Sequence, residues 1–194
     1  GHVARALYDL AALHAERDAV AHRLATHTSD VARCWATQWV MLSGLPLARQ
    51  LHSVRRFAAD AHFGVREFAW MAVRDSVGAQ PDEALELLQS WATDADPNIR
   101  RFASELTRPR GVWCAQIEAF KAEPWRALPL LESLRADPSR YVQNSVANWL
   151  NDASKSQGAW VDETCERWLG GSDAASTRYI VQRARRTLRK SSDA

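Results

Sequence analysis

Cysteine, methionine and glycine are scarce in this sequence of 194 residues: three, two and eight respectively. The cysteines, Cys34, Cys114 and Cys165, are odd in number and widely spaced, which excludes a disulfide framework and a paired zinc-ligand pattern. They read as free thiols in a reducing compartment. All six histidines fall within the first 62 residues, none at helical ligand spacing with a carboxylate between, so no metal site is expected. No run approaches the roughly 18 consecutive apolar residues that cross a bilayer. The start GHVARALYDL lacks the zones of a secretory leader. Strand signals are also missing: there is no sustained alternation and no Asn-Gly or Asp-Gly turn. The expectation is a cytoplasmic, single-domain protein over residues 1–194, a monomer with no membrane, no cofactor and no obligate protein partner.

What is present is helical periodicity and tryptophan, nine in all, within a chain that is 46% hydrophobic. Five segments led by Val31, Val65, Ile99, Val142 and Val181 stack in one register, at intervals of 34, 34, 43 and 39 residues. Asp30, Asp60, Asp96 before Pro97 and Asp137 before Pro138 precede four of them, as helix caps would. Partner helices are expected over 82–92 and 126–135. The fold class is therefore all-α, an α-solenoid of about five helical hairpins of HEAT type, whose second helices line a concave basic groove. In such arrays an arginine just after the aliphatic, such as Arg66 or Arg100, serves Asp–Arg contacts between repeats. Trp35, Trp39, Trp70, Trp91 and Trp168 sit in apolar stripes and read as core.

Charge is uneven. Residues 1–97 carry nine arginines against twelve acids, a net of −3, and residues 98–194 carry sixteen Lys and Arg against eleven acids, a net of +5. The C-terminal half is the candidate nucleic-acid face. Three stretches there depart from a plain repeat. Residues 99–113 hold Glu105 near a helix end, then Arg108-Pro-Arg110 and Trp113 outside any stripe. Residues 141–155 end in the polar cluster Asn151-Asp152-Ala-Ser-Lys155. Residues 177–190 hold Arg178, Arg183, Arg185, Arg186, Arg189 and Lys190.

The runs IRRFASELTRPRGVW, SRYVQNSVANWLNDASK and YIVQRARRTLRK, with VREFAW at 65–70, resemble the DNA alkylation repair glycosylases, closest to the AlkC branch, over residues 62–190. That resemblance implies a monofunctional glycosylase acting on double-stranded DNA with alkylated bases, and removing cationic ones: typically 3-methyladenine, and in the AlkC branch also 3-methylcytosine. It carries site roles to Glu105, Asp152 and Trp113, with Glu67 a further acid. Asp152 would position and deprotonate water, and Glu105 would give electrostatic support. The DNA contacts expected are Trp113, Arg108, Arg110, Arg140, Asn144, Lys155, Arg178, Arg183, Arg186 and Lys190. The sequence departs from the family pattern at Gly64, at Gly111-Val112 and at Trp149, where His is expected. The alternative is a catalytically silent HEAT-repeat DNA-binding protein, and after it a protein-interaction scaffold. A scaffold has no use for Glu105, Asp152 and Trp113 together.

Overall fold

Five loop-to-helix junctions repeat one hydrogen-bonding device, and that device defines the register of the chain. At positions 27, 60, 94, 137 and 172 a short polar side chain (His, Asp, Asp, Asp, Ser) accepts the backbone N–H two residues ahead. Six residues further on, Arg33, Arg66, Arg100, Gln143 and Arg178 reach back to the loop. Arg33, Arg66 and Arg100 each donate to the carbonyls of the first two loop residues, Gln143 to the first and Arg178 to the second. Loop carbonyls lie outside the helical ladders, and these side chains supply donors to them. The repeat intervals are thus 33, 34, 43 and 35 residues.

This corrects two segments of the sequence alignment. Val31 is exposed and its neighbour Ala32 is buried, while Thr177, not Val181, holds the equivalent place in the last repeat. Val65, Ile99 and Val142 are buried as expected. Among the four proposed caps, Asp96 accepts the N–H of Asn98 at the start of a helix with Pro97 in its first turn. Asp60 and Asp137 instead stand inside the loops, three residues before their helices. There their carboxylates also receive Arg33 and Arg100 of the preceding repeat, at 2.7 and 2.6 Å. Asp30 begins its helix and pairs with His62 at 3.3 Å.

The computed structural model describes residues 2–111 and 113–192, with 190–192 as backbone only. These are all-helical, with thirteen α-helices, two short 3-10 turns and no strand among the described residues. They divide into two compact units, residues 1–76 and 77–194. The first contains α1 (His2–Leu13), α2 (Arg17–Ala25), α3 (Asp30–Leu42), α4 (Leu47–Ala58) and most of α5 (Phe63–Ala79). In it α3 packs against α1, α2 and α4, and Trp39 donates its indole N–H to the Ala4 carbonyl. Gly44, at φ +64, allows the tight turn from α3 to α4.

The second unit has two layers. One is formed by α7 (Pro97–Leu106), α10 (Arg140–Ser154) and α12 (Ala175–Ala184); the other contains α6 (Pro81–Gln89), α9 (Leu128–Leu134) and α11 (Gly158–Gly170). The short α8 (Glu118–Ala122) and α13 (Arg186–Ser192) both touch α10. The partner helices are shorter than expected, because 3-10 turns over Trp91–Thr93 and Pro124–Ala127 take up their ends. At the centre lies α10, which buries Val142, Val146, Trp149, Leu150 and Ala153. Trp149, where the family pattern has His, is fully buried and donates to Thr107, so this position is core. Of the stripe tryptophans, Trp39, Trp70, Trp91 and Trp168 are buried and Trp35 is half-buried. Burial pushes the Cys165 thiol up to about 11, against a smaller opposing effect of Arg185. Arg185, one of the cations of the last stretch, is tied to Asp162 and Glu166 at 2.8 and 2.6 Å and holds α12 to α11.

Candidate active site and nucleic-acid face

Two carboxylates converge where α7 ends beside α10. Glu105 is the penultimate residue of α7 and Asp152 lies in the last turn of α10, and both are buried. Arg108, just past α7, bridges them. Its Nη1 donates to Glu105 Oε1 at 2.6 Å, while Nε and Nη2 donate to Asp152 Oδ2 at 2.9 and 2.6 Å. The remaining Glu105 oxygen accepts the Ser145 hydroxyl at 2.7 Å, and Ser145 in turn accepts that of Ser104. Arg101 adds a second cation 3.6 Å from Glu105. Asp152 Oδ1 accepts Lys155 Nζ at 3.1 Å.

Burial would raise the pKa of Glu105. The charges of Arg101 and Arg108 and the hydrogen bonds from Ser145 and Arg108 outweigh it, and hold the carboxyl below its ordinary value. Arg108 is likewise opposed by burial and carried upward by its two carboxylates. The sequence expectation that Arg108 contacts DNA meets a different geometry: its side chain is 12% exposed and its guanidinium is spent on two acids. Arg110 leans on the same corner, donating to the Asp152 carbonyl and to Ser156 Oγ.

Trp113 lies in the loop that follows. It is 93% exposed and its backbone is left-handed, at φ +65. A bulky residue in that region is uncommon and costs on the order of 1–3 kcal/mol, and an exposed ring recovers none of it by packing.

Beside the carboxylates the layer of α7, α10 and α12 presents a basic face studded with tyrosine. The Arg140 guanidinium lies 3.5 Å from the centroid of the Tyr179 ring, with Arg183 5.6 Å from the same ring, and Arg101 lies 4.3 Å from that of Tyr141. Asn144 accepts the Tyr179 hydroxyl at 2.7 Å. Arg186, at the start of α13, donates to Asn148. Burial, then Arg183 and Arg108, push the Arg186 pKa down, with Asp152 pulling the other way, so the basic face and the carboxylate pair share one electrostatic neighbourhood. Asn144 and Asn148 follow Arg140 at four-residue steps along α10, a single helical row. Arg140, Lys155, Arg178, Arg183 and Arg186 are all exposed. The side chain of Lys190 lies outside the described residues.

The third acid, Glu67, belongs to the first unit, where its Oε2 accepts the Trp70 indole N–H at 2.9 Å. Glu105 and Asp152 are brought together in the second. Sequence reading missed Arg101, Tyr141, Ser145, Asn148 and Tyr179. A signal was available for the tyrosines: there are only three in the chain, and Tyr179 and Arg183 stand one turn apart. Among the described residues no three His, Cys, Asp or Glu side chains converge as metal ligands would.

Comparison with known proteins bears on the family and the fold. The model of a family described as DNA alkylation repair enzyme matches residues 16–188. The chain is 35% identical over 147 residues to the uncharacterized protein YhaZ of Bacillus subtilis, an alignment covering 76% of this chain and 40% of that protein. Among solved structures it is similar to the Pseudomonas fluorescens alkylpurine DNA glycosylase AlkC bound to DNA containing an abasic site analog. That likeness has a TM-score of 0.73 and 30% identity over 84% of this chain and 44% of the other. AlkD2 from Streptococcus mutans shares the fold, at a TM-score of 0.71 and 23% identity over 86% of this chain and 78% of that one. The chain thus spans less than half the length of YhaZ and of AlkC.

Proposed function

The chain belongs to the DNA alkylation repair enzyme family, and we propose that it is a DNA glycosylase that hydrolyses the N-glycosidic bond of cationic alkylated bases, 3-methyladenine and 3-methylcytosine, in duplex DNA. The observation that carries this reading is the pair of buried carboxylates on one arginine, next to an exposed tryptophan and a basic face. A base alkylated on a ring nitrogen is positively charged, so it departs neutral without a general acid. Positive charge then develops on the sugar, where a carboxylate stabilises it. Water adds to the anomeric carbon as the bond to the base breaks, and its proton passes to a carboxylate base.

Asp152 serves both needs through Oδ1. Oδ2 is fixed by Arg108, whereas Oδ1 is covered by Lys155, whose side chain is 43% exposed. When a phosphate draws Lys155 away, Oδ1 faces the sugar. Glu105 acts through Arg108, holding the guanidinium and hence the orientation of Asp152. Trp113 packs against the lesion, where an aromatic contributes about 1–3 kcal/mol per stacked base. Support comes also from the similar AlkC, an alkylpurine DNA glycosylase seen bound to DNA containing an abasic site analog.

The full pairing of Asp152 with Arg108 and Lys155 also suits a second reading, a catalytically silent protein that binds damaged DNA. Incubation with methylated duplex DNA, followed by chromatography of released bases, separates the two. Release of methylated purine with an intact abasic strand supports the glycosylase, and binding without release supports the silent protein.

A further inference from the structure

The first unit contains a cleft that the repair reading leaves unused. It lies among α2, α3 and α4, encloses about 570 Å³ and has an apolar floor of Trp39, Val40 and Phe57. That volume falls in the range of small-molecule sites, roughly 300–1,000 Å³. The rim is basic. Arg17 enters from the first turn of α2 and Arg56 from the last turn of α4, with His22 and His52 near them on the same two helices. Asp18 is the one acid in the lining.

The two arginines are placed without being spent. Arg17 rests 4.1 Å from the centroid of the Tyr8 ring and Arg56 5.6 Å from that of Phe57. Among the described residues neither donates a hydrogen bond or joins an ion pair. Arg33, in the same unit, shows what a structural arginine does: it fills its donors with Asp60 and two loop carbonyls. Two guanidiniums seated on aromatic rings with open N–H edges, at the mouth of an apolar cleft, match an anion attached to a flat apolar body. Phosphate meets the open edges in the bidentate geometry arginine favours.

We propose that this cleft binds a single nucleotide, its phosphate between Arg17 and Arg56 and its base on the Trp39 and Phe57 floor. Inorganic phosphate leaves the floor unused, and a nucleoside leaves the arginines unmatched, so each alone binds poorly. The same chemistry is offered by a free mononucleotide and by an unpaired nucleotide in a strand.

Titration calorimetry of the whole chain tests this with dAMP, deoxyadenosine, inorganic phosphate and the single-stranded oligomer (dA)5. The expected result is that dAMP binds at least about tenfold more tightly than deoxyadenosine or phosphate, and that Arg17→Gln and Arg56→Gln each weaken it by about tenfold or more, the size of one charge-assisted contact. Both arginines are exposed, so these variants keep their fold, and a thermal melt verifies it. If (dA)5 binds more tightly than dAMP and loses that advantage in the double variant, the occupant is a strand; if dAMP binds more tightly, it is the free nucleotide. Absence of binding by both, or binding unchanged in the double variant, overturns the proposal.

Discussion

Arg100 with Asp137 and Arg108 with Asp152 are the same kind of pair, each on the α7 side facing an acid of the next repeat at 2.6 Å, yet they do different things. Arg100 completes a closed device. Its remaining donors go to the Asp94 and Ala95 carbonyls, and Asp137 also takes the N–H of Ser139. Close versions of that device recur at Arg33, Arg66, Gln143 and Arg178. Arg108 is not part of that loop device: it stands fourteen residues after Asp94, at the far end of α7. It serves two carboxylates at once, and one oxygen of Asp152 is left to a surface lysine. Repetition marks the first pair as scaffold. The second serves two acids where a junction serves one, which is why it is proposed as the site.

The comparison is broken most severely at the acids. Asp152→Asn is expected to reduce base release by about two orders of magnitude or more, the usual loss for one electrostatic catalytic group, while duplex binding persists. Asp137→Asn should do the reverse, leaving release unchanged at a temperature where the variant is folded and lowering stability by about 3–5 kcal/mol, as expected when a buried pair loses one partner. Equal effects of the two on catalysis would erase the distinction.

Removing the shared cation sharpens it. Arg108→Met strips two buried carboxylates of their shared cation and leaves them only Arg101 and Lys155, so urea unfolding at neutral pH should show a loss of about 3 kcal/mol, the low end for a broken buried pair. The pH dependence has a definite sign. In the native chain Glu105 titrates below its unfolded value, so its contribution is complete above that value and is lost as pH falls through the folded pKa. Without Arg108 the same acidification neutralises the stranded charges, and the deficit of the variant should shrink. A deficit constant with pH would mean that the bridge carries no electrostatic weight.

A smaller effect is expected at Trp113. Because the ring is 93% exposed, Trp113→Ala should leave the melting temperature nearly unchanged while release falls by about tenfold, the worth of one stacked base. A large loss of stability would make it a packing residue. Smallest is the change on the basic face. Arg183→Glu with Arg186→Glu should weaken binding to any duplex and flatten the dependence of log affinity on log salt by about 0.9 for each phosphate no longer neutralised. An unchanged slope would move the DNA-binding face away from α12 and α13.

Local chemistry in the sequence was enough for the all-helical class, the repeat pattern, the Arg100 ladder and the cap at Asp96, because each depends on neighbours within one turn or on a period of the chain. It was also enough to single out Glu105, Asp152 and Trp113 as residues outside the pattern. Register was legible only approximately. Val31 and Ala32 are adjacent apolar residues, and a helix can turn either inward at little local cost; the donor from Arg33 to the loop carbonyls decides which. What Arg108 does was not legible at all. Its two acids lie 3 and 44 residues away, and only the packing of α7 against α10 brings both within reach of one guanidinium. The same packing holds the buried Glu105 below its ordinary pKa, and that of α10 against α12 stacks Arg140 on Tyr179. Each rests on desolvation and on contacts between helices distant in sequence, quantities that exist only once the chain has folded.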